Sequence, residues 1–132
     1  MGPNGTLLAR AFDTLTRDGA DAAAHLLTEN FIAHLPGVPE PLHGRDAWAV
    51  GVRQMLAAFP DLSITVEDAI EQGDQVALRV RFRGTHGGPF QGIGATHRPI
   101  EFTSVEIYRI EGDLIAEEWV APDMITLMRQ IS

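Results

Sequence analysis

At Pro60-Asp61 the spacing of apolar residues changes from helical to extended, and this change dictates the fold class. Before it, Trp48, Val52, Met55, Leu56 and Phe59 fall at i, i+4, i+7, i+8 and i+11, one face of a helix from about Arg45 to Phe59. After it the period is two. Leu62, Ile64 and Val66 alternate with Ser63, Thr65 and Glu67. Val76, Leu78, Val80 and Phe82 alternate with Ala77, Arg79, Arg81 and Arg83, with the hairpin turn Gln72-Gly73-Asp74-Gln75 between the two runs. Helices followed by strands imply an α+β domain in which one helix layer covers one face of a curved antiparallel sheet.

The remaining elements follow the same logic. Leu8, Phe12 and Leu15 mark a first helix stopped by Arg17-Asp18-Gly19. Asp21 is placed to cap a short Ala-rich helix, Ala22 to Leu27, and Phe31 to Leu35 reads as a short strand before a Pro-rich loop, Val38 to His43. Gly84 to Pro99 reads as a long hairpin loop, Arg98 to Ile110 and Leu114 to Val120 as strands, and Met124 to Gln130 as a closing helix. The 132 residues make a single domain, 1–132, long enough for a real core.

Composition excludes several functions. There is no cysteine, so no thiolate nucleophile and no Cys-based metal site. All ten basic residues are arginine, which removes lysine Schiff-base chemistry and a P-loop lysine. A net charge of −8 argues against nucleic acid as a partner. No apolar run approaches the roughly 20 residues that span a bilayer, so no membrane partner is expected. Met1 to Arg10 lacks the pattern of a secretory signal, and a cytoplasmic location is the expectation. Gly92-Ile93-Gly94 does not complete a dinucleotide fingerprint, and no G-x-S-x-G or H-E-x-x-H motif occurs. The chemistry left is acid/base work by carboxylates and histidine in an apolar pocket, with no cofactor and no metal.

The candidates for that work sit at strand ends and in strand centres. Strict alternation puts Trp119, Ala121 and Asp123 on one side, so an apolar wall would raise the Asp123 pKa and suit it to proton transfer. The same residue is equally well placed to cap the closing helix. On the strand Arg98–Ile110, Phe102, Ser104, Glu106, Tyr108 and Ile110 share a face of mixed aromatic and polar character, as pocket linings do, and Glu106 is read as inward. Val105 and Ile107 lie on the opposite face, whose apolar centre suits a dimer interface. His34 is either a satisfied buried group or a proton carrier. His86 and His97 flank the glycine loop and could meet across a hairpin, but two imidazoles alone make a weak metal site.

Several short segments, in order, resemble the SnoaL-like polyketide cyclase, or ester cyclase, family of the nuclear transport factor 2-like superfamily. They are His43-Gly44-Arg45-Asp46, Ala58-Phe59-Pro60-Asp61-Leu62, Thr65-Val66-Glu67-Asp68, Gly84-Thr85-His86, Phe90-Gln91-Gly92-Ile93, Ile107-Tyr108-Arg109-Ile110, and Glu117-Glu118-Trp119 with Asp123. The chain departs from the family at Ala95-Thr96-His97-Arg98, where relatives often carry a Pro-Thr-Gly-Arg type turn. The resemblance implies a cone-shaped, curved antiparallel sheet wrapped around the N-terminal helices, usually dimerised through the outer sheet face. It also implies a pocket acid/base at Asp123 and a hydrophobic small-molecule substrate. The resulting expectation is a cofactor-independent cyclase or isomerase of secondary metabolism. Asp123 would be the principal acid/base and Glu106 and His34 its partners. Trp48, Met55, Phe59, Val80, Phe82, Phe90, Ser104, Tyr108 and Trp119 would shape the pocket. A ligand-binding module of the same fold and an epoxide hydrolase with an acid pair and an arginine are the alternatives. They part on whether two titratable side chains converge in a closed apolar cavity.

Overall fold

The computed structural model describes residues 2–132. Among these residues are four helices and one six-stranded sheet. Helix α1 (Pro3–Asp18) starts with proline in its first turn and ends at Gly19, whose φ of 97° only glycine adopts readily. Helix α2 (Ala20–Ala24) is shorter than its sequence suggests: Gly19, not Asp21, is its cap, and the chain is already extended at Leu27. Strand β1 (Leu27–His34) and the two-residue strand β2 (Leu42–His43) precede α3 (Arg45–Ala58). The meander follows as β3 (Ser63–Gln72), β4 (Gln75–Thr85), β5 (Pro99–Glu111) and β6 (Leu114–Pro122), and α4 (Met124–Ile131) closes the chain.

The sheet order is β2-β1-β6-β5-β4-β3, open at both edges. Its pairs are antiparallel except one: β1 runs parallel to β6, so the sheet is mixed where antiparallel pairing alone was expected. The inner face carries Val76, Leu78, Val80 and Phe82 from β4 and Ile100, Phe102, Tyr108 and Ile110 from β5, all buried against Leu7 and Leu8 of α1, Phe31 of β1 and Leu127 and Ile131 of α4. Each such apolar side chain contributes about 1.5–3 kcal/mol by leaving water. The outer face carries the arginines. Arg79 pairs with Asp68, Arg81 with Glu67 and Glu101, and Arg83 with Glu101, exposed bridges that contribute little energy but match the strand register.

One irregularity governs the inside of the molecule. In the β5–β6 hairpin, Ile110 faces Ile115 but Arg109 faces Glu117, so β6 holds one extra residue at Ala116. Such a bulge moves every later side chain of the strand to the other face. Beyond it Glu118, and not Trp119, lies with Tyr108 on the inner side.

The loop between β4 and β5 is anchored to the end of α3, because the Gly87 and Gly88 N–H groups both donate to the Ala58 carbonyl. A Cβ on Gly88 would stand 2.4 Å from the Ala57 carbonyl oxygen. His97 adopts φ 58°, a left-handed conformation that suits glycine, at the position where the related turn carries glycine. Two opposite effects are expected in urea unfolding. His97→Gly should raise stability by about 0.5–1 kcal/mol, and Gly88→Ala should cost about 1–3 kcal/mol.

Candidate active site

The inner face of β5 places Ser104, Glu106 and Tyr108 in a row, and β6 adds Glu118 directly opposite Tyr108. The Tyr108 hydroxyl donates to Glu106 Oε1 at 2.5 Å, and the Ser104 hydroxyl donates to Glu106 Oε2 at 2.7 Å. Both carboxyl groups are buried, Glu106 with 5% and Glu118 with 7% of its surface exposed, and neither is paired with an arginine or histidine. Across the parallel pair, the residue beside Glu118 is Ala33, whose small side chain leaves the carboxyl room.

Tyr108 and Glu118 line a cavity of about 30 Å³, together with apolar groups of α1, α2, β1 and α3. Phe12 meets the Tyr108 ring edge-on at 6.3 Å, and Phe31 meets Trp48 likewise at 6.2 Å. Of the lining residues only Ala11, Phe12 and Trp48 keep partial exposure, so the mouth lies between α1 and α3. Glu106 and Ser104 stand one layer behind, reached through the Tyr108 hydroxyl.

Electrostatics separate the two acids. Burial raises the Glu106 pKa, and the hydroxyls of Tyr108 and Ser104 oppose that rise by favouring the charged form. Burial, followed by repulsion from Glu106, lifts Glu118 to about 8, against weaker hydrogen bonding from Tyr108 and Trp48. Glu106 is therefore the better carboxylate and Glu118 the better acid. Burial also pushes the Tyr108 phenol well above its ordinary value, so it stays protonated at neutral pH.

The structure redistributes the residues expected from sequence. Glu106, Tyr108 and Ser104 do converge on one interior site, and Trp48 lines the adjoining cavity. Asp123 does not join them. It is exposed and caps α4, accepting from the Thr126 backbone N–H at 3.1 Å and the Thr126 hydroxyl at 2.6 Å. Those bonds lower its pKa, the reverse of the expected rise. His34 and Trp119 lie on the outer face, their rings stacked at 5.0 Å, because the bulge turns Trp119 outward. His34 bonds Glu117 at 2.6 Å, and Arg109 bonds the same carboxylate at 3.0 Å. Burial alone would raise the Glu117 pKa, but these two partners lower it.

Val80 and Phe82 are core residues of β4, with Phe82 stacked on Phe102 at 4.9 Å. Phe59 packs on Phe90 and on the buried His86 ring, and Met55 is partly buried against the core. None of Met55, Phe59, Val80, Phe82 and Phe90 lines the cavity. His86 and His97 meet only through their backbones, while the His86 ring bonds Thr96. Among the described residues no three His, Asp or Glu side chains gather as metal ligands would. Glu118 was missed because strict alternation puts it on the face opposite Trp119; only the bulge could have revealed it.

The acid pair has a signature in stability. Glu118 holds its proton more tightly folded, near pH 8, than unfolded, near the ordinary 4.5. Its contribution is fully present below about pH 4.5 and is lost as pH rises through 8, on the order of 5 kcal/mol in all. Thermal unfolding between pH 5 and 9 should show Tm falling in the wild type, with a flatter profile in Glu118→Gln.

With this geometry in hand, the chain can be set beside known proteins. No functionally curated protein matches it. It is similar to wild-type IdmH, a candidate polyketide cyclase from Streptomyces antibioticus, at 31% identity over 98% of both chains with a TM-score of 0.82. It is also similar to TsrD from Streptomyces laurentii, at 25% identity over 98% of this chain and 95% of that one, TM-score 0.86. A candidate SnoaL-like polyketide cyclase from Jannaschia sp. CCS1 shares the fold at TM-score 0.90, with 22% identity over 98% of this chain and 92% of that one. The family model described as SnoaL-like polyketide cyclase matches residues 6–131, and the chain belongs to that family.

Proposed function

We propose that the protein is a cofactor-independent cyclase that closes a ring in a small hydrophobic substrate by proton transfer from Glu118. The observation that carries this reading is the convergence of two carboxyls and a phenol beside a cavity with apolar and aromatic walls. In the proposed step Glu118 gives its proton to a substrate oxygen, an internal nucleophile closes the ring, and the proton released by that nucleophile returns to the Glu118 carboxylate. The substrate is isomerised and the protein is restored. Tyr108 touches the same cavity and holds the geometry. Glu106 acts through Tyr108 and by its charge, as a positioning residue.

A cavity of about 30 Å³ holds little more than a water-sized group, whereas sites for larger organic ligands span about 300–1,000 Å³. Substrate therefore enters by displacing the half-buried Phe12 and Trp48 side chains at the mouth. Entropy lost by folding the chain onto itself is met by the shape of that opened pocket.

Glu118→Gln keeps the shape and removes the proton. Turnover of a cyclisable substrate should fall about 10²–10⁴-fold with the fold intact by near-ultraviolet circular dichroism. Asp123→Asn should keep most activity. Glu106→Gln removes the neighbouring charge that raises Glu118, so the alkaline limb of the pH–rate profile should move to lower pH. Wild-type turnover by Glu118→Gln would leave a binding module without acid catalysis.

We also propose that two copies associate through the outer sheet face. Val105 and Ile107 are 58% and 40% exposed there, beside a groove with His34, Trp119 and Ala121. Exposed apolar surface of this kind marks interfaces. Sedimentation at micromolar concentration should give a dimer, and Val105→Glu with Ile107→Glu a monomer. A wild-type monomer would contradict the proposal.

A further inference from the structure

We infer that Trp48 is both the gate of the cavity and the residue that positions its acid. The indole N–H holds the Glu118 carboxyl while the mouth is shut, and the swing of the ring that admits substrate frees that carboxyl for the incoming oxygen. This rests on the reading of Glu118 as the acid and adds how the acid is held and released. Trp48 lines the cavity with Glu118 and Tyr108 and keeps partial exposure at the mouth, so it touches both the interior and solvent. Its one polar group is the indole N–H, a donor, which gives the Glu118 carboxyl a weak hydrogen bond. Tyr108 also reaches Glu118, but it is buried and held to Glu106 at 2.5 Å, so of the two it is Trp48 that can leave.

The backbone beneath Trp48 is fixed. The Gly44 N–H donates to the Phe31 carbonyl at 2.7 Å, and the Trp48 backbone N–H donates to the Gly44 carbonyl at 3.2 Å, which ties the first turn of α3 to β1. Opening at this side of the mouth is then a matter of side-chain torsions, with the helix in place. A helical side chain leans over the turn that precedes it. For Trp48 that turn begins at Gly44, which has no side chain, and a Cβ there would meet only the Glu29 carbonyl oxygen, at 3.9 Å. The ring has room to move on that side. It is held shut by edge-on contact with Phe31 at 6.2 Å and by packing between the main core and the smaller cluster around Ala20, Ala23 and Ala49. Phe12, the other half-buried ring at the mouth, has no polar atom and gives the acid nothing to lose.

Opening has a chemical consequence. A donated hydrogen bond favours the ionised carboxyl, and its withdrawal favours the neutral acid. The groups that face Glu118 are Trp48 from α3 and Tyr108 and Glu106 from β5, with Ala33 beside it on β1. The side chains that α1 and α2 add to the cavity, Leu8, Ala11, Phe12, Leu15 and Ala23, are apolar and offer no substitute donor. As the indole swings away, Glu118 holds its proton more firmly until a substrate oxygen arrives to take it. Entry of substrate and readiness of the acid are thus one event.

The test uses the Trp119→Phe protein, in which Trp48 is the sole tryptophan, and cyclohexanol, a ring too large for a cavity of about 30 Å³ unless the mouth opens. The Trp48 indole N–H signal in nitrogen-15 NMR should titrate with the Glu118 midpoint near 8, a measurement that needs no change at Trp48. Adding Trp48→Phe keeps a ring and removes the donor, so the Glu118 midpoint in the empty protein, read by carbon-13 NMR, should rise by about half a pH unit or more. Saturating cyclohexanol should move Trp48 emission to the red and bring the proteins with and without Trp48→Phe to the same midpoint, because the donor is then gone from both. An indole signal that ignores the Glu118 titration, or equal midpoints in the two empty proteins, would overturn the positioning role. A midpoint difference that persists with cyclohexanol, or emission that does not move, would overturn the gate. In each of these cases a midpoint near 8 with Trp48 present leaves Glu118 standing as the acid. A midpoint of about 4–5 there would remove the acid and this inference together.

Discussion

Two carboxyl groups share the interior of this protein without a cation between them, and the rest of the structure serves to keep them there. Burying an ion that lacks a partner costs several kcal/mol, so such groups hold protons, accept hydrogen bonds or both. Here the roles divide. Glu106 takes the hydroxyls of Tyr108 and Ser104, while Glu118 keeps a proton up to about pH 8. Costly buried polar groups of this kind cluster at functional sites, which is why the pair is the candidate here.

What holds Glu118 inside is a single inserted residue. The tight turn after Glu111 sets the β5–β6 register, and unbroken pairing would place Glu117 opposite Tyr108 and Trp119 opposite Glu106. The bulge at Ala116 replaces them with Glu118 and Val120. Glu117 then falls on the outer face, where His34 and Arg109 meet it. One residue thus separates an acid held neutral in the core from an acid kept ionised on the sheet surface.

This explains what could and could not be read in the residues. The alternation of Val76, Leu78, Val80 and Phe82 against arginines identifies β4 and its two faces, because side chains on a strand have a period of two. The same period sends Glu106 inward with Phe102 and Tyr108. A period-based reading fails where the period breaks, and Ala116 carries no composition that marks a bulge. Trp119 and Asp123 were therefore expected on the pocket side; the strand turns one outward, and the helix uses the other as its cap. The parallel pairing of β1 with β6 was equally hidden, since it joins residues more than eighty positions apart. Membership of the SnoaL-like polyketide cyclase family rests on the family model that matches residues 6–131, and the short motifs that resemble the family do not say which acid works.

Burial and the neighbouring Glu106 hold Glu118 as a neutral acid at physiological pH. Its titration can be followed directly by carbon-13 NMR of the side-chain carboxyls, with Glu118→Gln identifying the signal. A midpoint near 8, falling when Glu106 is replaced by Gln, is the predicted result. A midpoint in the ordinary glutamate range, about 4–5, would mean the carboxyl is ionised and solvated, and the account would fail.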